Sequence, residues 1–171
     1  MKNKHILKLA ALLVLFVSTI SFAQTAAQAL AKNGLVKAMS NDREGAIVDY
    51  TKSIKLDPNP EVFYKRAIAY MQTKQYEKAI ADFDKGATTK DEIPELFFMK
   101  ANCKSALNDF NGAVADLDKA IKYNPENGKY YFFRGVAKIS LKDKDGACVD
   151  LHRAIDLKYD KAAETLNNNC N

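Results

Sequence analysis

Ala79-Ile80-Ala81-Asp82-Phe83 has three close copies in the chain. They are Ala46-Ile47-Val48-Asp49-Tyr50, Ala113-Val114-Ala115-Asp116-Leu117 and Ala147-Cys148-Val149-Asp150-Leu151. The copies are almost evenly spaced, and a period of about 34 is a signature of a helical solenoid. Upstream of each copy lies a second apolar stripe at helical spacing, such as Phe63, Ala67 and Tyr70. Asn59 and Pro60 fit the cap and first turn of that upstream helix. The polar Thr73-Lys74-Gln75 separates it from the stripe Tyr76, Ala79, Ile80, Phe83. Each unit therefore reads as two helices, with units at about 27–59, 60–93, 94–127 and 128–161.

Small residues recur in fixed columns. Gly34, Ala67, Ala101 and Gly135 form one; Ala46, Ala79, Ala113 and Ala147 a second; Ser53, Gly86, Ala120 and Ala154 a third. Two helices approach closely only where side chains are small. Large residues stand between them: Leu30, Phe63, Phe97 and Tyr131 on the first helices, Tyr50, Phe83, Leu117 and Leu151 on the second.

These columns resemble the tetratricopeptide repeat. Phe63, Ala67, Tyr70, Ala79 and Phe83 match its pattern in the second unit, and Phe97, Ala101, Phe110, Ala113, Ala120 and Pro125 in the third. The resemblance spans about 27–161. It implies an all-α, right-handed α-solenoid of about four helix-turn-helix units, a protein-binding role and no catalysis. The family's Leu is replaced by Arg66, Lys100 and Arg134, and its Tyr by Lys37, Lys104 and Lys138. Positions 160–169 read as a helix capping the last unit, as solenoid ends require.

Positions 1–23 read as a secretory signal. Lys2, Lys4 and Lys8 precede the apolar run Leu9–Val17, and Ser21-Phe22-Ala23 presents small residues at the cleavage-determining positions. The domain would then span 24–171, exported to a periplasm or secreted, with no stable membrane span after cleavage. The whole chain carries 26 basic and 21 acidic residues, a net +5. The signal holds three of the basic residues and no acid, so cleavage leaves +2. That is no electrostatic footprint for nucleic acid.

Catalytic material is scarce. Past position 23 the only histidine is His152, which aligns with Thr51, Asp84 and Asp118 and reads as an exposed helix position. No phosphate loop or nucleophile elbow occurs. No cofactor or metal is expected, and the chain reads as a non-enzyme.

Three sets of residues remain. Asp49, Asp82, Asp116 and Asp150 recur once per unit, and Arg66, Lys100 and Arg134 precede the last three at one constant spacing. They are expected to form partly buried charge pairs, within one hairpin or between neighbours. Cys148 and Cys170 stand almost equally far on either side of a turn near position 158, so they reach similar heights on antiparallel helices. A disulfide between them is expected, with Cys103 free and buried; three free thiols are the alternative. Finally, Tyr64, Phe98 and Phe132 each directly follow a core aromatic, about 100° around the helix. The resemblance implies that first helices line an inner groove. Tyr64, Ile68, Met71, Phe98, Asn102, Phe132, Val136 and Ile139 are expected to line it, with Glu61, Glu95 and Lys129 at its edge. The alternative for the rings is packing between neighbouring first helices.

Two functions follow. One is a scaffold taking a peptide or partner helix in the groove; the other is a structural subunit gripped through its ends or convex face. Family members that clamp the carboxylate tail of cytosolic chaperones use Lys and Asn on the first helices. Ala31, Tyr64, Phe98 and Phe132 stand where that Lys would be, and Leu35, Ile68 and Val136 replace the Asn, leaving only Asn102. The resemblance thus argues against that clamp.

Overall fold

The computed structural model describes residues 2–86 and 93–170, and for 2–20 and 93 the backbone alone. The described residues form helices without strands. They are α1 (Lys2–Met39), α2 (Arg43–Leu56), α3 (Pro60–Gln72), α4 (Tyr76–Gly86), α5 (Ile93–Ala106), α6 (Phe110–Tyr123), α7 (Gly128–Ser140), α8 (Lys144–Asp156) and α9 (Ala162–Cys170). Residues 2–23, expected to be a signal, are the first part of α1. Among the described residues no helix is long and apolar enough to cross a membrane.

The helices pair as the repeat demands. α1 packs on α2, α3 on α4, α5 on α6 and α7 on α8; each hairpin then stacks on the next, and α9 covers α8. The small-residue columns lie at the crossings: Ala46, Ala79, Ala113, Ala147, Ala120 and Ala154 are wholly buried. Tyr50, Phe83, Leu117 and Leu151 fill the space between them at 1% exposure or less. Gly86 marks a close approach of backbone, since a Cβ there would stand 2.8 Å from the backbone nitrogen of Tyr64. The equivalent Ala120 and Ala154 show that the other hairpins leave room for a methyl group.

Local chemistry sets the helix ends. Asn59 caps α3 by accepting from the Glu61 amide at 2.9 Å, with Pro60 in the first turn. Asp42, Asp109 and Asp143 cap α2, α6 and α8 by accepting from the amides of Gly45, Gly112 and Gly146. The residue that turns each hairpin has a left-handed backbone: Asn41, Lys74, Asn108 and Lys142, with φ from 60° to 68°. A lysine there costs about 1 kcal/mol relative to glycine. Lys142→Gly is therefore expected to stabilise by about 0.5–1 kcal/mol, less the entropy glycine returns to the unfolded chain. Urea titration of the two proteins checks it.

Candidate protein-binding surface

The buried aspartates organise each hairpin. Arg66 Nε and Nη2 donate to Asp82 Oδ2 and Oδ1 at 2.6 and 2.8 Å. Arg134 makes the same fork to Asp150, at 2.8 and 2.5 Å. Both pairs lie within one hairpin, at the same sequence separation. The third expected pair is not formed. Lys100 turns to Asp84 on the preceding hairpin, and Asp116 takes Lys104 Nζ at 2.6 Å. A lysine offers one ammonium and no fork, and Lys104, one turn further along α5, already fills the site on Asp116. Lys37 serves Asp49 at 2.6 Å, and Lys138 serves Asp150 at 2.8 Å.

This explains why lysine replaces the repeat's Tyr in three units: at that position it neutralises the buried aspartate. The one unit that keeps the ring, Tyr70, uses Arg66, whose guanidinium lies 5.5 Å from the Tyr70 centroid. The same cations tie hairpins together, Arg66 through Thr51 Oγ1 at 2.9 Å and Arg134 through Asp118 at 2.6 Å. The hydrogen bonds to Asp82 hold the Arg66 pKa above its ordinary value. For Arg134, burial pulls downward most strongly, but the bonds to Asp150 and Asp118 and their charges outweigh it and the net shift is upward.

In the aromatic series Tyr64, Phe98 and Phe132, the first two rings reach the next unit and the third packs within its own. Tyr64 meets Phe83 edge-on at 5.7 Å, and its hydroxyl reaches Met99 Sδ at 3.7 Å. Phe98 packs against Tyr130 and Phe133, with centroids at 5.5 and 5.0 Å and Lys129 Nζ 3.9 Å from its own centroid. Phe132 lies on Tyr159 at 5.1 Å. Phe98, expected on the groove wall, is only 4% exposed. It belongs to the core because the next unit presents two rings to it. Tyr64 and Phe132 are half-buried.

Around these rings the expected edge charges pair locally. Lys129 meets Glu95 at 3.4 Å, and Lys65 meets Glu61 at 2.7 Å. Tyr130 donates to Glu95 at 3.2 Å. Burial first, then the Glu95 charge, push the Tyr130 hydroxyl up to about 12.

Open space lies toward the N-terminal end, between α1 and α3. One hollow of about 220 Å³ is walled by Leu35, Ala38 and Met39 of α1 and by Lys65, Ile68 and Gln72 of α3. A second of about 340 Å³ adjoins it, lined by Ala31, Lys32 and Leu35 facing Glu61, Val62 and Lys65. Leu35 is 39% and Met39 81% exposed. Of the expected groove residues, Ile68 lines the first hollow; Met71 and Asn102 are half-buried and Val136 is exposed. Ile139 lies at the far end, beside α9. Sequence reasoning missed Met39 and Ala38, since the first unit has no aromatic to fix its register. Leu35 aligns with Ile68, Asn102 and Val136, and that alignment was the available signal.

The cysteines divide as their spacing suggests. Cys148 and Cys170 are joined, with Sγ atoms 2.02 Å and Cα atoms 5.8 Å apart. Cys103 is free and wholly buried. Burial pushes its thiol up to about 11 from 9.0, so at pH 8 it carries about a hundredfold less thiolate than an ordinary cysteine. Iodoacetamide should leave Cys103 untouched in the folded protein and label it in urea; mass mapping reads the outcome, and fast labelling in buffer would contradict it.

A stack of helical hairpins with small-residue crossings and no assembled catalytic group among the described residues defines a repeat scaffold. The chain is a tetratricopeptide-repeat protein: models of that family match residues 60–90 and 98–165, between them more than half the chain. It is an interaction module and not an enzyme. No curated protein matches it. Among solved structures, the crystal structure of MamA is similar at 23% identity and TM-score 0.76, covering 82% of this chain and 79% of that one. MamA from Desulfovibrio magneticus RS-1, spanning position 41 to the end, is 19% identical with TM-score 0.72, covering 77% and 75%. These two likenesses establish the fold alone. The first tetratricopeptide domain of Spaghetti (RPAP3), bound to the HSP90 peptide SRMEEVD, is 25% identical with TM-score 0.59, covering 65% of this chain and 90% of that one.

Proposed function

We propose that this chain is an exported scaffold that takes a peptide or partner helix along the face of its first helices. The observation that carries the reading is the pair of hollows between α1 and α3, where Leu35 and Met39 stand exposed opposite Ile68. Exposed leucine and methionine beside an unfilled hollow suit apolar anchors on an amphipathic segment. The related domain that holds SRMEEVD supports peptide capture in general. The acidic-tail clamp itself lacks its lysines here. Export rests on the segment 1–23, and N-terminal sequencing of the mature protein should read from Gln24.

A second reading, the structural subunit gripped by its ends, rests on Val36. It is 58% exposed, while Ala69, Cys103 and Ala137 in the same column are buried by the preceding unit. The groove is the stronger reading because the hollows supply volume as well as apolar surface. A photo-crosslinking residue at position 68 should capture a partner in cells, and one at exposed position 81 on the second helices should not. Capture from position 81 or 36 alone would favour the structural reading.

A further inference from the structure

We propose that the Cys148–Cys170 bridge is a thiol–disulfide exchange site, attacked at Cys170 by an anionic thiol, and that exchange releases α9. This inference stands independently of the groove.

Both cysteines are half-buried, so neither is sealed in the core. A hollow of about 260 Å³ opens beside the bridge, lined by Ile139, Lys142, Lys144, Ala147, Asn169 and Cys170. Cys170 is on the wall of this space and Cys148 is not, so an incoming thiol in the hollow meets the Cys170 end of the bridge. Two lysines on the wall attract a thiolate, above all one carrying further negative charge, such as a carboxylated peptide thiol.

The leaving group is also favoured. Cys148 lies in the second turn of α8, one helical turn after Lys144. The Lys144 ammonium at i−4 stabilises a thiolate there, against a partial offset from the Asp145 carboxylate at i−3. In the first step the attacking thiolate forms a bond to Cys170 Sγ, the Sγ–Sγ bond breaks, and its electron pair leaves on Cys148 Sγ. In the second step another thiol attacks the mixed disulfide. The oxidised disulfide of the reagent departs, and Cys170 takes a proton from water. Two external thiols are oxidised and one protein disulfide is reduced.

Release follows from how short α9 is and how few of its side chains are buried. It is short, and it includes Asn167, Asn168 and Asn169, which are poor helix formers. Helices this short are marginal without tertiary support. Ala162 is its one buried residue, and Leu166 adds a partial contact with the last core cluster. The bridge pins the far end. Once it opens, the surface around Ile139 and Ala147 is free to stack on another protein, as the inner units stack on each other.

The test treats folded, oxidised protein with reduced glutathione near pH 7.5, quenches with acid, and maps adducts by mass spectrometry. Glutathione should appear on Cys170 with Cys148 as the free thiol. The Lys142→Gln/Lys144→Gln double variant should react about threefold or more slowly, as a leaving thiol of higher pKa requires, with an unchanged melting temperature. After reduction, hydrogen exchange should rise across 162–170 and stay fixed in α3 to α6. Adducts on Cys148, lysine variants that react at the wild-type rate, or exchange no faster than global unfolding would each overturn the assignment. So would three reactive thiols in the untreated protein. Unchanged protection of 162–170 after reduction would overturn the release of α9.

Discussion

Replacing Asp82 with alanine is expected to lower the melting temperature far more than replacing Asp84. Asp82 is 4% exposed and receives two hydrogen bonds from the Arg66 fork. Without the carboxylate, a mostly buried guanidinium keeps, among the described residues, Thr51 as its hydrogen-bond partner, its stacking on Phe63 and Tyr70 apart. Stranding a buried charge costs about 3–5 kcal/mol, roughly 10 °C for a domain of this size. The Asp84 side chain is 55% exposed, so water screens its pairing with Lys100 and hydrates the acid's end of it, and such a pairing is worth about 1 kcal/mol. Thermal unfolding of the two variants side by side reads the difference. Equal, small shifts would mean that the aspartate column does not bind the hairpins together.

Phe98→Ala is expected to be comparably destabilising, by about 3–5 kcal/mol. Its ring fills the junction between the third and fourth units against Tyr130 and Phe133. The cavity left by truncation would lie where neither hairpin can collapse without pulling away from the other. The same variant, studied below its lowered transition, should still bind the partner, because the open hollows lie two helices away between α1 and α3. A stable Phe98→Ala protein that has lost its partner would reverse this and return the ring to the groove wall.

The parts of this protein legible in its sequence are those that repeat. Four copies of one pentapeptide place the buried alanines, the filling residues Tyr50, Phe83, Leu117 and Leu151, and the aspartates, because each unit solves the same packing problem. Helix ends are readable where a cap has its own chemistry, as at Asn59 and Pro60. The exceptions arise where two residues compete for one partner. Lys100 and Lys104 lie one helical turn apart and both could reach Asp116; side-chain reach decides between them, and spacing alone does not. Phe98 reads as groove lining because a repeat period reports which direction a ring faces and not what the next unit places opposite it. The first unit, without an aromatic at its start, hides the hollow behind Leu35 and Met39.

The central claim is that the face of the first helices near α1 and α3 captures a partner. The most direct measurement is the affinity of the cross-linked partner, once isolated, for the wild-type protein and for Leu35→Glu/Met39→Glu. Both side chains are exposed, so the variant should melt within a few degrees of wild type. A charge introduced at each apolar anchor should weaken binding by about tenfold or more. Wild-type affinity in that variant would contradict the account and move the contact to another surface.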